Sequence, residues 1–132
     1  MATAARSARV NRRRKGGSGW AAWIPFILGI VMTPVALRAA SILALSGPGG
    51  MTLLYPFVQI LQNPLLHGAN GLADPVAQGI MYLQFPIYGL IMARIIPSKG
   101  FWVAFNVVVA IHGAGIGLAY LLAHFQNPFL RL

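Results

Sequence analysis

Three long apolar stretches, each about as long as a membrane span, decide what this chain can fold into. They cover about 20–45, 75–96 and 101–125, and a transmembrane helix needs about 20 predominantly apolar residues. Hydrocarbon cannot bond free backbone groups, so spanning segments are helices or strands of closed barrels. The lengths fit helices. We therefore predict an all-α integral membrane protein with three transmembrane helices.

Composition supports this class and excludes several chemistries. The 132 residues are 58% hydrophobic and 8% charged, whereas a soluble domain carries about 25% charged residues. Asp74 is the only acid, and there is no cysteine. Paired-carboxylate catalysis, thiolate nucleophiles and cysteine-held metals are therefore excluded within this chain. We predict that the protein is not an enzyme.

The basic residues predict how the chain threads the membrane. Six of the ten lie in the first fifteen positions, and four of them form one block, Arg12, Arg13, Arg14 and Lys15. Cytoplasmic ends of membrane proteins are rich in Lys and Arg. We predict a disordered basic cytoplasmic tail over 1–19 and a C-terminus on the opposite side. No aromatic residues are interleaved with these charges to stack bases, so we expect the tail to meet lipid headgroups rather than nucleic acid.

Three further residues are predicted to mark the membrane interfaces. Trp20 and Trp23 open the first span, where aromatic belts are found. Arg38 lies roughly 27 Å further along a helix that rises 1.5 Å per residue. We expect its side chain to reach the outer headgroups, or to pair with Asp74.

The segment 46–74 is predicted to be the outer loop, because it holds no Lys or Arg. Pro56 and the Asn63–Pro64 pair delimit a short helix over about 56–62. Its mixed polar and apolar faces are typical of an interfacial or re-entrant helix. The basic turn at 97–100 then joins the second and third spans on the cytoplasmic side.

One face of the third span is predicted to pack against other helices. Its members repeat at helical spacing and include a small-xxx-small pair that permits close approach: Asn106, Gly113, Gly117, Tyr120 and His124. Alanines at 36, 40 and 44 form a second small-residue face. Several polar side chains are predicted to form hydrogen bonds between helices: Gln78, Tyr82, Gln84, Tyr88 and Asn106.

His112 is the candidate cofactor-contacting residue, because an ionisable side chain near mid-bilayer suggests function. Its imidazole could contact a haem, a chlorin or a quinone. The alternative is a neutral histidine that bonds across a helix interface. Two histidines and a carboxylate can form a metal site, but the spacing of His67, Asp74 and His124 is no metal motif, and no metal is predicted.

These features predict a small non-catalytic membrane subunit that packs against larger partners or itself. The expected host is a respiratory or photosynthetic complex in a bacterial inner membrane or an energy-transducing organelle membrane. Three alternatives stay open: a haem-, chlorin- or quinone-contacting redox subunit that uses His112, a self-assembling small channel or carrier, and an electrostatic anchor whose basic tail recruits lipid or an acidic protein.

Overall fold

The computed structural model describes residues 19–64 and 73–126, which form helices with no strand among them. Three of these helices are long and apolar enough to cross a membrane, which confirms the predicted fold class. In chain order, after a 3-10 turn at Ala21–Trp23, the helices are α1 (Ile24–Leu45), α2 (Pro48–Leu54), α3 (Pro56–Leu61), α4 (Ala73–Lys99) and α5 (Phe101–Gln126).

The turn between α4 and α5 is tighter than the predicted four-residue turn at 97–100. α4 continues through Pro97 to Lys99, and Gly100 alone reverses the chain with a φ of 87°. Only glycine adopts that backbone conformation without steric cost. The Gly100 amide bonds the Ile96 carbonyl at 3.0 Å. The two helices therefore form an antiparallel hairpin, as the sequence predicts.

α4 lies between α1 and α5 and packs against both. Its contact with α1 is closest where glycines remove the side chains. A methyl group on Gly29 would overlap the Phe85 carbonyl, and one on Gly89 would lie 2.7 Å from Phe26 Cα. Small residues permit such close approach of membrane helices. Ala36 and Ala40 are buried in the same contact, whereas Ala44 is exposed.

The short helices α2 and α3 form a hairpin that packs on α4 and α5. α2 starts at the end of α1, after Gly47 with a φ of 101°. Its last carbonyls meet side chains from the middle of α4 and α5. After α3 the chain returns to the end of α5, where Gln126 Nε2 donates to Asn63 Oδ1 at 2.6 Å. The hairpin is therefore re-entrant. α3 matches the predicted helix over 56–62, whereas α2 was not predicted.

Two ends of the bundle can be distinguished by their residues. At the Gly100 end, α1 begins, α4 ends and α5 begins. Exposed aromatic side chains ring this end, with Trp20 77% and Trp102 72% exposed. At the Gly47 end, the re-entrant hairpin enters and leaves. Such a belt of exposed aromatic side chains is typical of a membrane–water interface. We therefore expect the Gly100 end to lie at one.

Candidate functional site

The half-buried His112 joins three elements of the bundle. Its Nδ1 lies 2.9 Å from the Tyr88 hydroxyl on α4. Its Nε2 lies 2.8 Å from the Leu53 carbonyl oxygen near the end of α2. The imidazole thus connects α4 and α5 with the tip of the re-entrant hairpin, which is the point around Tyr55 where α2 ends and α3 begins. This is the arrangement expected of a histidine that bonds across helix interfaces.

The two partners define which proton the ring carries. A carbonyl oxygen only accepts, so Nε2 carries a hydrogen and donates it to Leu53. A charged imidazolium at this depth in a membrane would be costly, so Nδ1 is unprotonated and accepts the Tyr88 hydroxyl hydrogen. Both ring nitrogens are therefore used. A haem or chlorin metal could bind His112 only after one of these bonds is broken.

The hairpin tip needs these bonds because a short helix ends inside the membrane. The last carbonyls of a helix have no intrahelical partner, and unbonded backbone groups are costly where no water is present. His112 bonds the Leu53 carbonyl, and Gln84 Nε2 bonds the Leu54 carbonyl at 3.0 Å. The predicted interhelical roles of Gln84 and Tyr88 are thereby confirmed. The other predicted donors, Gln78, Tyr82 and Asn106, are exposed.

A series of edge-to-face aromatic contacts leads from Tyr55 at the hairpin tip to His112. Tyr55 contacts Phe85 edge-on, with ring centroids 5.7 Å apart. Phe85 contacts Tyr88 in the same manner, and Tyr88 contacts His112. Edge-to-face aromatic pairs add about 0.5–1.5 kcal/mol beyond area burial. These contacts therefore hold Tyr88 in position to donate its hydroxyl hydrogen to His112.

Two buried polar atoms at the tip have no protein partner. The Tyr55 ring is fully buried, and its hydroxyl makes no hydrogen bond within the described residues. Gln84 uses its Nε2 but leaves Oε1 without a partner among them. Burying such groups without a partner costs stability. The hairpin tip thus holds two polar atoms that the described residues leave without a hydrogen bond.

A groove of about 870 Å³ opens beside His112 toward the Gly100 end. The start of α1, the second half of α4 and the first half of α5 form its walls. Tyr88 and His112 are the only polar side chains among its lining residues, and no charged residue lines it. The volume lies within the range of small-molecule pockets, about 300–1,000 Å³.

The predicted packing face of α5 is not used inside this chain. Its five members, Asn106, Gly113, Gly117, Tyr120 and His124, are all exposed. Helix α5 instead buries the opposite face, through Ala104, Gly115 and Ala119. Gly115 lies against Pro56 and Phe57, because the re-entrant hairpin occupies that side. Packing of the predicted face against another chain stays a prediction.

The residues predicted to mark the membrane interfaces lie at the surface, as far as the structure describes them. Trp20, Trp23 and Arg38 are exposed. Arg38 forms no ion pair with Asp74 in the described part of the chain, so its side chain is free to reach a headgroup. Arg12, Arg13, Arg14, Lys15 and His67 lie outside the described residues. Among the described ones, no group of three His, Cys, Asp or Glu residues could hold a metal.

Sequence reasoning missed the glycines that determine the closest helix contacts. Gly29 and Gly89 were not singled out, although each precedes a small residue at i+4, Thr33 and Ala93. That small-xxx-small spacing was the available signal. The backbone carbonyls of α2 left no signal, because any residue type carries one.

Comparison of the chain with protein-family models, characterised proteins and solved structures finds no match. A functional argument therefore depends on the residues themselves.

Proposed function

We propose that the protein is a small non-catalytic membrane subunit that packs against a larger helical membrane partner. The observation that carries this proposal is the unpartnered face of α5, defined by Asn106, Gly113, Gly117, Tyr120 and His124. In the apolar stretch of α5 only 11% is buried, half the 22% found in each of the other two spans. The third span thus has the most surface left for another protein.

The chemistry of this face suits a helix better than lipid alone. Methyl groups placed on Gly113 and Gly117 would meet nothing within 4 Å, so a second helix has room to approach the backbone. Asn106 is exposed, and its amide has no hydrogen bond within residues 19–64 and 73–126. An amide in hydrocarbon without a partner is costly. A partner helix that bonds Asn106 removes that cost.

Photocrosslinking in native membranes tests the proposal. A photoreactive residue at Gly117 is expected to crosslink to a larger membrane protein, and one at Gly79 is the matched control. A Cβ on either glycine has open space around it, but Gly79 lies outside the proposed face. We expect the Gly117 product to be a subunit of a respiratory or photosynthetic complex. Crosslinks only to lipid would overturn the proposal, and crosslinks only to a second copy would replace it with self-association.

A direct role of His112 as a haem or chlorin ligand is the alternative that the geometry supports less, because both ring nitrogens are bonded. A Soret or chlorin band in the purified complex that disappears in His112→Leu would establish it. The channel or carrier alternative predicts flux in liposomes by a homo-oligomer.

A further inference from the structure

The groove beside His112 is lined by apolar residues except for Tyr88 and His112, which limits the ligands it can bind. Its lining comes from three helices that can cross a membrane, so we expect the part of the groove beside His112 to lie at the depth of the hydrocarbon. No charged side chain lines it, and a charged ligand there would lose its solvation without a counter-charge. A ligand of this groove is therefore expected to be an uncharged molecule dissolved in the membrane.

The hydrogen bond between Tyr88 and His112 limits which polar group of a ligand can form a hydrogen bond in the groove. His112 has no nitrogen left, since Nε2 donates to Leu53 and Nδ1 accepts from Tyr88. The Tyr88 hydroxyl has given its hydrogen to His112, but its oxygen keeps a free lone pair. The groove thus offers an acceptor and no side-chain donor. A head group that forms a hydrogen bond with the Tyr88 oxygen must therefore be the donor.

The aromatic lining indicates a ring as the head group. Phe85 and Tyr88 line the groove at its inner end, and Phe101 and Phe105 line it toward the Gly100 end. Flat rings pack on such side chains in offset or edge-on arrangements. A long apolar tail would follow the aliphatic residues of α1 and α5.

We propose that this groove binds a membrane hydroquinone in its reduced form, with a ring hydroxyl donating to the Tyr88 oxygen. The oxidised quinone has carbonyl oxygens that only accept, so it finds no donor at Tyr88. The site therefore discriminates between two redox forms of one ligand without itself transferring electrons. Gly113 belongs both to the groove lining and to the proposed packing face of α5. The binding test uses the purified chain without a partner, so failure of one proposal leaves the other standing.

Binding of the two forms to the purified protein tests the proposal. The protein is placed in phosphatidylcholine nanodiscs under anaerobic conditions and titrated with a short-tailed benzoquinol or with its oxidised benzoquinone. Retention by empty nanodiscs is subtracted to remove simple partitioning. We expect the quinol to bind about fivefold more tightly than the quinone, as one net hydrogen bond provides. Equal affinity, or tighter binding of the quinone, would overturn the proposal.

Two variants separate the hydrogen bond from the apolar groove. Tyr88→Phe alone would free Nδ1 of His112 to accept the quinol hydrogen, so both acceptors are removed in the double variant Tyr88→Phe/His112→Leu. In that variant the quinol should lose its preference over the quinone. Gly113→Phe should block both forms, because Gly113 lines the groove and space lies open around it. Gly79→Phe is the matched control and should bind like the wild type. Circular dichroism verifies that each variant is folded. A quinol preference that survives in the double variant, or quinol binding that survives in Gly113→Phe, would contradict the assignment.

Discussion

The imidazole Nε2 of His112 lies 2.8 Å from the carbonyl oxygen of Leu53, a residue 59 positions earlier in the chain. This bond connects the middle of α5 with the tip of a helix that ends inside the bundle. It satisfies a backbone acceptor that would otherwise face apolar surroundings. The first role of His112 is therefore to hold the re-entrant hairpin in place through Leu53. Its second role is to orient Tyr88, which lines the groove.

Replacing His112 is expected to destabilise the fold. His112→Leu removes the donor to Leu53 and leaves that carbonyl without its partner, which costs about 1–3 kcal/mol. The measurement is the free energy of unfolding by sodium dodecyl sulfate in mixed micelles. His124→Leu is the control, because His124 is exposed on α5 and should change stability by less than about 0.5 kcal/mol. Equal effects of the two substitutions would show that the Leu53 bond contributes no stability.

The close contact of α1 with α4 gives a second prediction. Gly89→Ala places a methyl group 2.7 Å from Phe26 Cα, so the helices must separate, at a cost of about 1–3 kcal/mol. The matched control is Gly79→Ala on the same helix, where the methyl group meets nothing within 4 Å. The same unfolding assay compares them. A Gly89→Ala protein as stable as Gly79→Ala would mean that the two helices are not in backbone contact.

The spans and their antiparallel order follow from the sequence because they depend on length, hydropathy and proline or glycine positions. The short helix at 56–62 was predicted for the same reason, since Pro56 and Pro64 delimit it. The depth of the hairpin was not predictable, because it depends on backbone carbonyls of α2 meeting Gln84 and His112. The buried face of α5 followed from that depth. The small-residue pattern at Gly113 and Gly117 predicts a packing face on the opposite, exposed side of α5, and hydropathy does not distinguish a neighbour in the same chain from another subunit.

Tyr55→Phe is expected to leave stability unchanged or to raise it slightly. The hydroxyl is buried without a partner among the described residues, so deleting it removes a desolvation cost and no protein hydrogen bond. The expected gain in the free energy of unfolding is about 0–1 kcal/mol. Tyr82→Phe is the control, because Tyr82 is 55% exposed. A clear loss of stability in Tyr55→Phe alone would reveal a hydrogen-bond partner for this hydroxyl, such as a buried water shared with Gln84.

The absence of cysteine makes the membrane threading directly measurable. Single cysteines at Ser46 and Ser98 lie at opposite ends of the bundle, so an impermeant maleimide added to one side of oriented vesicles should label only one of them. The positive-inside rule predicts that Ser98→Cys is labelled from the cytoplasmic side and Ser46→Cys from the other. A third variant, Leu53→Cys, tests the hairpin. Leu53 is 55% exposed in the isolated chain, yet its contact with His112 places it at mid-bilayer, so we expect no labelling from either side. Labelling of Leu53→Cys as fast as Ser46→Cys would place the hairpin at the membrane surface, and reversed labelling of the two serine positions would invert the orientation while leaving the fold intact.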